Sequence, residues 1–175
     1  MRAFIAVELP DTARDALCAG QQALAASRAD VKWVAPEHLH VTLMFLGEIT
    51  EAQRQAVEDA LGRVAAQVAP FTVRLEGVGA FPSVTAPRVV WAGITEGKER
   101  LAQLAEAIEQ EAERVGLGRE ERPFAAHVTL GRVRSPTGRH ALAQRLKTLT
   151  WAPPPAWQAS SLVLYQSVLT PAGPT

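Results

Sequence analysis

Cysteine is nearly missing from this chain. Cys18 stands alone among 175 residues, so no intramolecular disulfide can form. It falls in a helical pattern, where a small apolar residue against the core is the expected reading. Net charge is missing too: 18 basic and 18 acidic residues cancel. That excludes a protein held to long nucleic acid mainly by neutralising phosphates, while leaving room for a small basic pocket. All but three of the basic residues are arginine, the side chain suited to bidentate phosphate contacts. No apolar run approaches the roughly 20 residues that span a bilayer, so no membrane association is expected. The apolar part of Met1–Glu8 is too short for a secretory signal. A reducing, cytoplasmic setting is therefore expected, and no obligate protein partner is evident. Histidine is scarce, with four in the chain, and the positions of two of them organise everything else.

The alternation of strand formers predicts a strand over Arg2–Glu8. A helix is expected from Asp11 to about Ala26, short strands at Val31–Val34 and Leu39–Leu46, and a helix after the Thr50/Gln53 capping box to about Val68. Strands follow at Phe71–Val78 and Arg88–Ile94. Leu101, Leu104, Ile108 and Ala112 recur at helical spacing, which predicts a helix over Lys98–Val115. A strand at His127–Val133, a short helix capped by Thr137, a loop over Trp151–Trp157 and a last strand at Ser161–Leu169 complete the chain. Strands interleaved with helices in this order point to an α+β fold with largely antiparallel sheets.

The tetrapeptide His-Val-Thr-Leu occurs at His40–Leu43 and again at His127–Leu130. In a strand, side chains two positions apart share a face. His40 thus shares a face with Thr42, and His127 with Thr129, while the Val and Leu residues point into a core. If the two halves are related by a pseudo-twofold, the polar faces meet in a cleft holding two imidazoles and two hydroxyls. Imidazole is the side chain whose ordinary pKa allows it to give or take a proton near neutral pH. Such a pocket suits a phosphate diester. One ring takes a proton from water and the other gives one to the departing oxygen, each role being worth about 10²–10⁴ in rate. The hydroxyls donate to the phosphate oxygens. A single His-x-Thr on a strand is ordinarily just a half-exposed sheet face; its recurrence reverses that reading.

These residues carry a resemblance. With Arg2-Ala3-Phe4-Ile5-Ala6-Val7, Trp33-Val34, Pro87-Arg88-Val89-Val90-Trp91-Ala92-Gly93, Arg122-Pro123-Phe124 and Leu164-Tyr165-Gln166-Ser167, the chain resembles the 2H phosphoesterases. It is most similar to the bacterial and archaeal RNA 2′,3′-cyclic phosphodiesterases once called 2′-5′ RNA ligases. The resemblance implies one bilobal domain over 1–175, with two pseudo-symmetric lobes of antiparallel sheet and outer helices around a central cleft. It implies that His40 is the proton donor to the leaving ribose oxygen and His127 the proton acceptor that activates water. It implies further that Thr42 and Thr129 hold the phosphate. The expected substrates are RNA ends or nucleotides bearing a 2′,3′-cyclic phosphate, opened to a 2′-phosphate with no cofactor and no metal. The same site run backward would join RNA ends. The family often has proline before the second histidine; Ala126 stands here, and a looser start to the strand is expected.

Two further residues are candidate substrate contacts. Arg132 would fall on the wrong face of a regular strand, but Gly131 could permit a bulge that re-aims it toward the phosphate; an interlobe salt bridge is the alternative. Phe4 could stack on a nucleobase or serve simply as core. His38 and His40 form a His-x-His pair, but no third metal ligand is apparent at a fitting spacing, and His38 reads as a loop residue framing the cleft. His140 is expected to face solvent, the four tryptophans to pack, and Arg119–Arg122 to be a solvated loop. The competing functions are a non-catalytic RNA-end-binding module on the same scaffold, a phosphodiesterase for small cyclic nucleotides, and a metal-dependent hydrolase using His38 and His40.

Overall fold

The computed structural model describes residues 1–119 and 123–167, together with the backbone of 169–170 and 173–174. Four helices and eleven strands lie in that portion. In chain order they are β1 (Arg2–Val7), α1 (Asp11–Ala25), β2 (Val31–Trp33), a 3₁₀ turn (Pro36–His38), β3 (Val41–Glu48) and α2 (Glu51–Ala66). Then come β4 (Phe71–Val73), β5 (Leu75–Pro82), β6 (Pro87–Ile94), α3 (Lys98–Arg114), β7 (His127–Val133) and α4 (Arg139–Thr148). β8 (Trp157–Ala159), β9 (Val163–Ser167), β10 (Leu169–Thr170) and β11 (Gly173–Pro174) follow.

Two sheets carry the two motif strands, each sheet drawing on both halves of the chain. One has the order β3-β1-β9 and the other β2-β7-β6-β5, with small ribbons β4-β8 and β10-β11. Every strand pair in both larger sheets is antiparallel, as the α+β expectation requires. Each motif strand lies beside the strand that supports it: β3 on β1, and β7 on β6. β3 and β7, the two strands that carry the motifs, also approach one another between the sheets.

The core forms because each element offers one apolar face. Val41, Leu43, Val128 and Leu130 are all buried, which is the side of each motif strand assigned to the interior. Leu101, Leu104, Ile108 and Ala112 bury the predicted face of α3. At about 25 cal/mol per Å² of apolar surface removed from water, such burial is the main stabilising term. α2 begins with the anticipated capping box, Gln53 N–H donating to Thr50 Oγ1 at 3.1 Å and Thr50 N–H to Gln53 Oε1 at 2.8 Å, and Arg63 on α2 reaches Glu111 on α3 at 3.0 Å.

Several expectations are corrected. The Phe71–Val78 strand is two strands, broken at Arg74, whose backbone N–H donates to Glu96 O at 3.0 Å. Thr137 does not cap α4. Gly138 does, at φ +71°, and a Cβ there would meet Ala29 Cα at 2.7 Å, so only glycine fits the turn. Trp157 ends no loop; it opens β8, which pairs with β4. Arg119 lies exposed in the loop after α3, as expected, and its guanidinium pairs with Glu106, Glu109 and Glu113 on that helix. The rest of that run, 120–122, lies outside the described residues, as does position 168 of the last predicted strand.

Candidate active site

The two motifs share a defect in their strands. In the β1–β3 ladder Ala6 faces Thr42 and Ile5 faces Met44, so Leu43 is an extra residue with no partner on β1. In the β6–β7 ladder Trp91 faces Thr129 and Val90 faces Gly131, so Leu130 is the extra residue. Both bulges fall three positions after the histidine. A bulge resets the alternation of faces. Beyond it, burial follows the reset: Met44 and Gly131 turn inward, while Phe45 and Arg132 turn out onto the side of the threonines.

The bulge in β7 is held by specific groups. Leu130 O accepts from Val34 N–H at 2.8 Å and from Gln21 Nε2 at 2.9 Å. The same Gln21 amide donates to Val34 O at 2.9 Å. Gln21 is the single buried polar side chain among the described residues, and these two bonds satisfy its donors. Gly131 has no freedom to be anything larger, since a Cβ would meet Val31 Cγ1 at 2.7 Å and Trp33 Cε3 at 2.8 Å. The glycine was the sequence signal for the bulge; its register and the role of Gln21 were not readable in advance.

His127 opens β7 and is half-buried. Its Nδ1 lies 2.6 Å from Ala125 O. A carbonyl can only accept, so Nδ1 carries the hydrogen. Nε2 of the neutral ring is left with its lone pair, which is the state a general base needs. Burial holds its pKa below the ordinary value of 6.5; the Ala125 bond works the other way, and the Arg132 charge adds to the lowering. That charge reaches His127 because the bulge has turned Arg132 toward it. Phe81 sets its ring edge-on to His127 at 5.1 Å between centroids, with Trp91 behind it at 5.3 Å. Gly79 makes room for the Trp91 indole, since a Cβ there would lie 2.4 Å from it.

His40 sits one residue before β3, not within it as expected. Its ring is stacked on Phe4 at 4.9 Å and on Tyr165 at 5.4 Å, and those two rings stack on each other at 5.1 Å. Burial, with the His38 and Arg14 charges, lowers the pKa of His40 to about 4. Phe4 is half-buried rather than core, and its partner in the structure is the His40 ring. Phe45 is 60% exposed and approaches Phe4 at 6.0 Å. Phe45 and Phe81 are the two exposed large apolar side chains among the described residues; Phe81 stands beside His127, and Phe45 beside the Phe4 ring on which His40 stacks. Neither drew attention in the sequence, because regular alternation would have turned Phe45 inward. Tyr165, whose hydroxyl donates to Glu8 Oε1 at 3.4 Å, was also missed as a site residue.

Thr42 and Thr129 are half-buried, on the same side of their strands as the histidines. His38 lies on the 3₁₀ turn next to α1. Among the described residues it gathers with no cluster of three His, Cys, Asp or Glu able to hold a metal ion. His140 is exposed. Cys18, Trp33, Trp151 and Trp157 pack on the core. A surface recess of about 240 Å³ is lined by Gln67, Val68, Arg100, Gln103 and Leu104 and includes neither motif. Among the described residues no helix is long and apolar enough to cross a membrane.

The chain is similar throughout its length to proteins of one kind. The family model described as LigT like phosphoesterase matches residues 7–91 and 93–175. A protein of Methanothermobacter thermautotrophicus named RNA 2′,3′-cyclic phosphodiesterase is 36% identical over 174 residues, covering 99% of this chain and 94% of that one. One of the same name from Archaeoglobus fulgidus is 37% identical over 175 residues, covering 99% and 95%. Among solved structures, TT0787 of Thermus thermophilus superposes with a TM-score of 0.83 at 32% identity, covering 100% of this chain and 93% of that one. Escherichia coli LigT complexed with 3′-AMP superposes at 0.71 and 27% identity, covering 99% and 92%. A match that takes in both His-Val-Thr-Leu strands and the sheets that carry them makes this protein a member of the LigT-like phosphoesterases.

Proposed function

We propose that the protein is an RNA 2′,3′-cyclic phosphodiesterase that opens a terminal cyclic phosphate to a 2′-phosphate by two-histidine acid–base catalysis. The observation that carries this is the duplicated motif with its duplicated bulge, which gives each sheet one imidazole, one hydroxyl and one further outward side chain at the same offset. The relatives named RNA 2′,3′-cyclic phosphodiesterase support the substrate class.

In the reaction, His127 Nε2 takes a proton from water as the oxygen adds to phosphorus. The bond from phosphorus to the ribose 3′ oxygen breaks, and His40 gives that oxygen a proton. The products are a 2′-phosphate monoester and a free 3′ hydroxyl. Thr42, Thr129 and Arg132 hold the non-bridging oxygens, where negative charge gathers in the transition state. Phe45 offers an exposed face on which the terminal base can stack, while Phe4 acts mainly by fixing the His40 ring. The chemistry uses no metal, and the single half-buried Cys18 fits a reducing cytoplasm.

An acid must hold a proton, and His40 in the unliganded protein has a pKa of about 4. Substrate supplies the remedy. A unit negative charge at about 4 Å, in surroundings with an effective dielectric near 20, is worth about 4 kcal/mol. Returning His40 to its ordinary value takes roughly 3 kcal/mol. The phosphate thus charges the acid that cleaves it, and the free protein is spared a buried cation.

Product analysis on an oligonucleotide with a 2′,3′-cyclic end tests the reading, with excess chelator present to exclude the metal-dependent alternative. A 2′-phosphate end is expected. A 3′-phosphate end, or binding without turnover as in a pure RNA-end-binding module, would contradict it.

A further inference from the structure

Arg14 is placed where the mechanism above gives it no task. Val7 faces Val41 in the β1–β3 ladder, so continuing the register sets Glu8 across from His40. Glu8 accepts from the Tyr165 hydroxyl at 3.4 Å, and the Tyr165 ring lies on His40. From Glu8 the chain turns straight into α1, and Arg14 lies in its first turn, with its N–H on Pro10 O at 3.1 Å. The charge of Arg14 reaches both His40 and the Tyr165 phenol. Arg14 therefore stands on the rim of the His40 side, as Arg132 stands on the His127 side.

Its charge is poorly matched within the protein. The side chain is 26% exposed, yet among the described residues its one ion pair is a 3.3 Å approach to Asp11, whose own side chain is 95% exposed. A pair of that kind contributes little. Arg14 Nε is buried with no acceptor among the described residues. A half-desolvated cation held beside a catalytic imidazole, with no strong anion of its own, is suited to receive an anion from outside.

We infer that Arg14 binds a second phosphate of the substrate, the 5′ phosphate of the nucleoside whose 2′,3′-cyclic phosphate is opened, and so makes the site prefer a polymer end over a cyclic mononucleotide. The inference rests on the functional reading above. His40 protonates the ribose 3′ oxygen, so the terminal ribose lies on its side of the site. The next phosphate along an RNA strand hangs from the 5′ carbon of that ribose. Thr42, Thr129 and Arg132 engage the reacting phosphate; Arg14 engages its neighbour.

The test compares kcat/KM for a nucleoside 2′,3′-cyclic phosphate with a 5′ hydroxyl and for the same compound carrying a 5′ phosphate. A trinucleotide with a cyclic end serves as a third substrate. The native protein is expected to favour the two phosphate-bearing substrates. Arg14→Gln is expected to lower that preference about tenfold, the scale of one charge-assisted contact, and Arg14→Lys to restore part of it. The ratio is unaffected by the fraction of variant that folds, because both substrates meet the same protein. An unchanged ratio in Arg14→Gln, or no preference in the native protein, would overturn the inference; a uniform shift of the pH profile with all three substrates would make Arg14 only a tuner of His40 and overturn it equally. If the native protein opens none of the three, the functional reading itself fails, and this inference with it.

Discussion

Leu43 and Leu130 are equivalent residues. Each is the third residue after its histidine, each is buried, and each lacks a partner on the strand that supports its own. Each therefore turns the residue two positions on, Phe45 or Arg132, to the side of the histidine and threonine. Identical tetrapeptides could have arisen separately in two strands. Identical register faults at the same offset, in two sheets, show that both halves use one local design and have put different residues at its last position: an aromatic surface on one side and a cation on the other.

The proposed mechanism divides the labour between the histidines, so removing either should stop the chemistry. His40→Ala and His127→Ala are each expected to lower kcat by about 10²–10⁴. Binding of a 2′-nucleotide product should fall far less. Single-turnover rates and equilibrium binding on the same samples check this; a variant that retains near-native kcat would remove its histidine from the mechanism.

The bulge in β7 should be sensitive to volume. Gly131→Ala sets a methyl group against Val31 and Trp33 and is expected to cost about 1–3 kcal/mol of stability, as overpacking generally does. Gln21→Leu removes the donor to Leu130 O and Val34 O and should cost a similar amount, about 1–3 kcal/mol, through the lost bond to Val34 O, while Leu130 O keeps its bond from Val34 N–H. Both should also raise KM, because Arg132 is aimed by this segment. Denaturant unfolding and steady-state kinetics measure the two effects separately.

The pH dependence of the rate follows from the two imidazoles. In the proposed mechanism the productive form has His40 charged and His127 neutral. In the free protein His40 titrates at about 4 and His127 below its ordinary 6.5. Since kcat/KM reports the free protein, its bell should peak on the acid side of 6.5. The bound phosphate raises both imidazoles, so the kcat profile should be displaced to higher pH. A kcat/KM profile that is flat from pH 4 to 8, or centred on the alkaline side, would contradict the assignment.

The same imidazoles make folding sensitive to acid. Their pKa values are lowered in the folded state, so between 6.5 and about 4 the unfolded chain binds more protons than the folded one. Stability is therefore expected to fall as pH drops through that window, with the contribution of His40 levelling off below it. His40→Gln should show a shallower loss of Tm between pH 7 and 4 than the native protein, measured by thermal unfolding in buffers of equal ionic strength.

Much of this was legible in the chain. The alternation in His40–Leu43 and His127–Leu130 fixed which side chains face the core, because strand geometry allows one answer. Gly131 announced a bulge, because a glycine beside an arginine that alternation turns inward is a local conflict. Phe45 was unreadable for the converse reason: no glycine marks the first bulge, and Met44 takes the inward position that Gly131 takes in the second. Gln21 was hidden in an amphipathic helix, where polar residues ordinarily face water, and only the long-range contact to Leu130 gives it a purpose. Tyr165 and Arg14 join the site from strands and helices distant in sequence, with no local pattern to mark them. Trp157 was misread because three prolines before it suggested a loop continuing past its true end.

The account depends on one phosphorus atom lying within reach of both rings. A crystal structure of the protein with a bound 2′-nucleotide tests that most directly. The account predicts a single phosphate hydrogen-bonded to Nε2 of His127 and to the His40 ring, with Thr42, Thr129 and Arg132 on its remaining oxygens. A phosphate that touches one histidine while the other stands beyond hydrogen-bonding distance would contradict it.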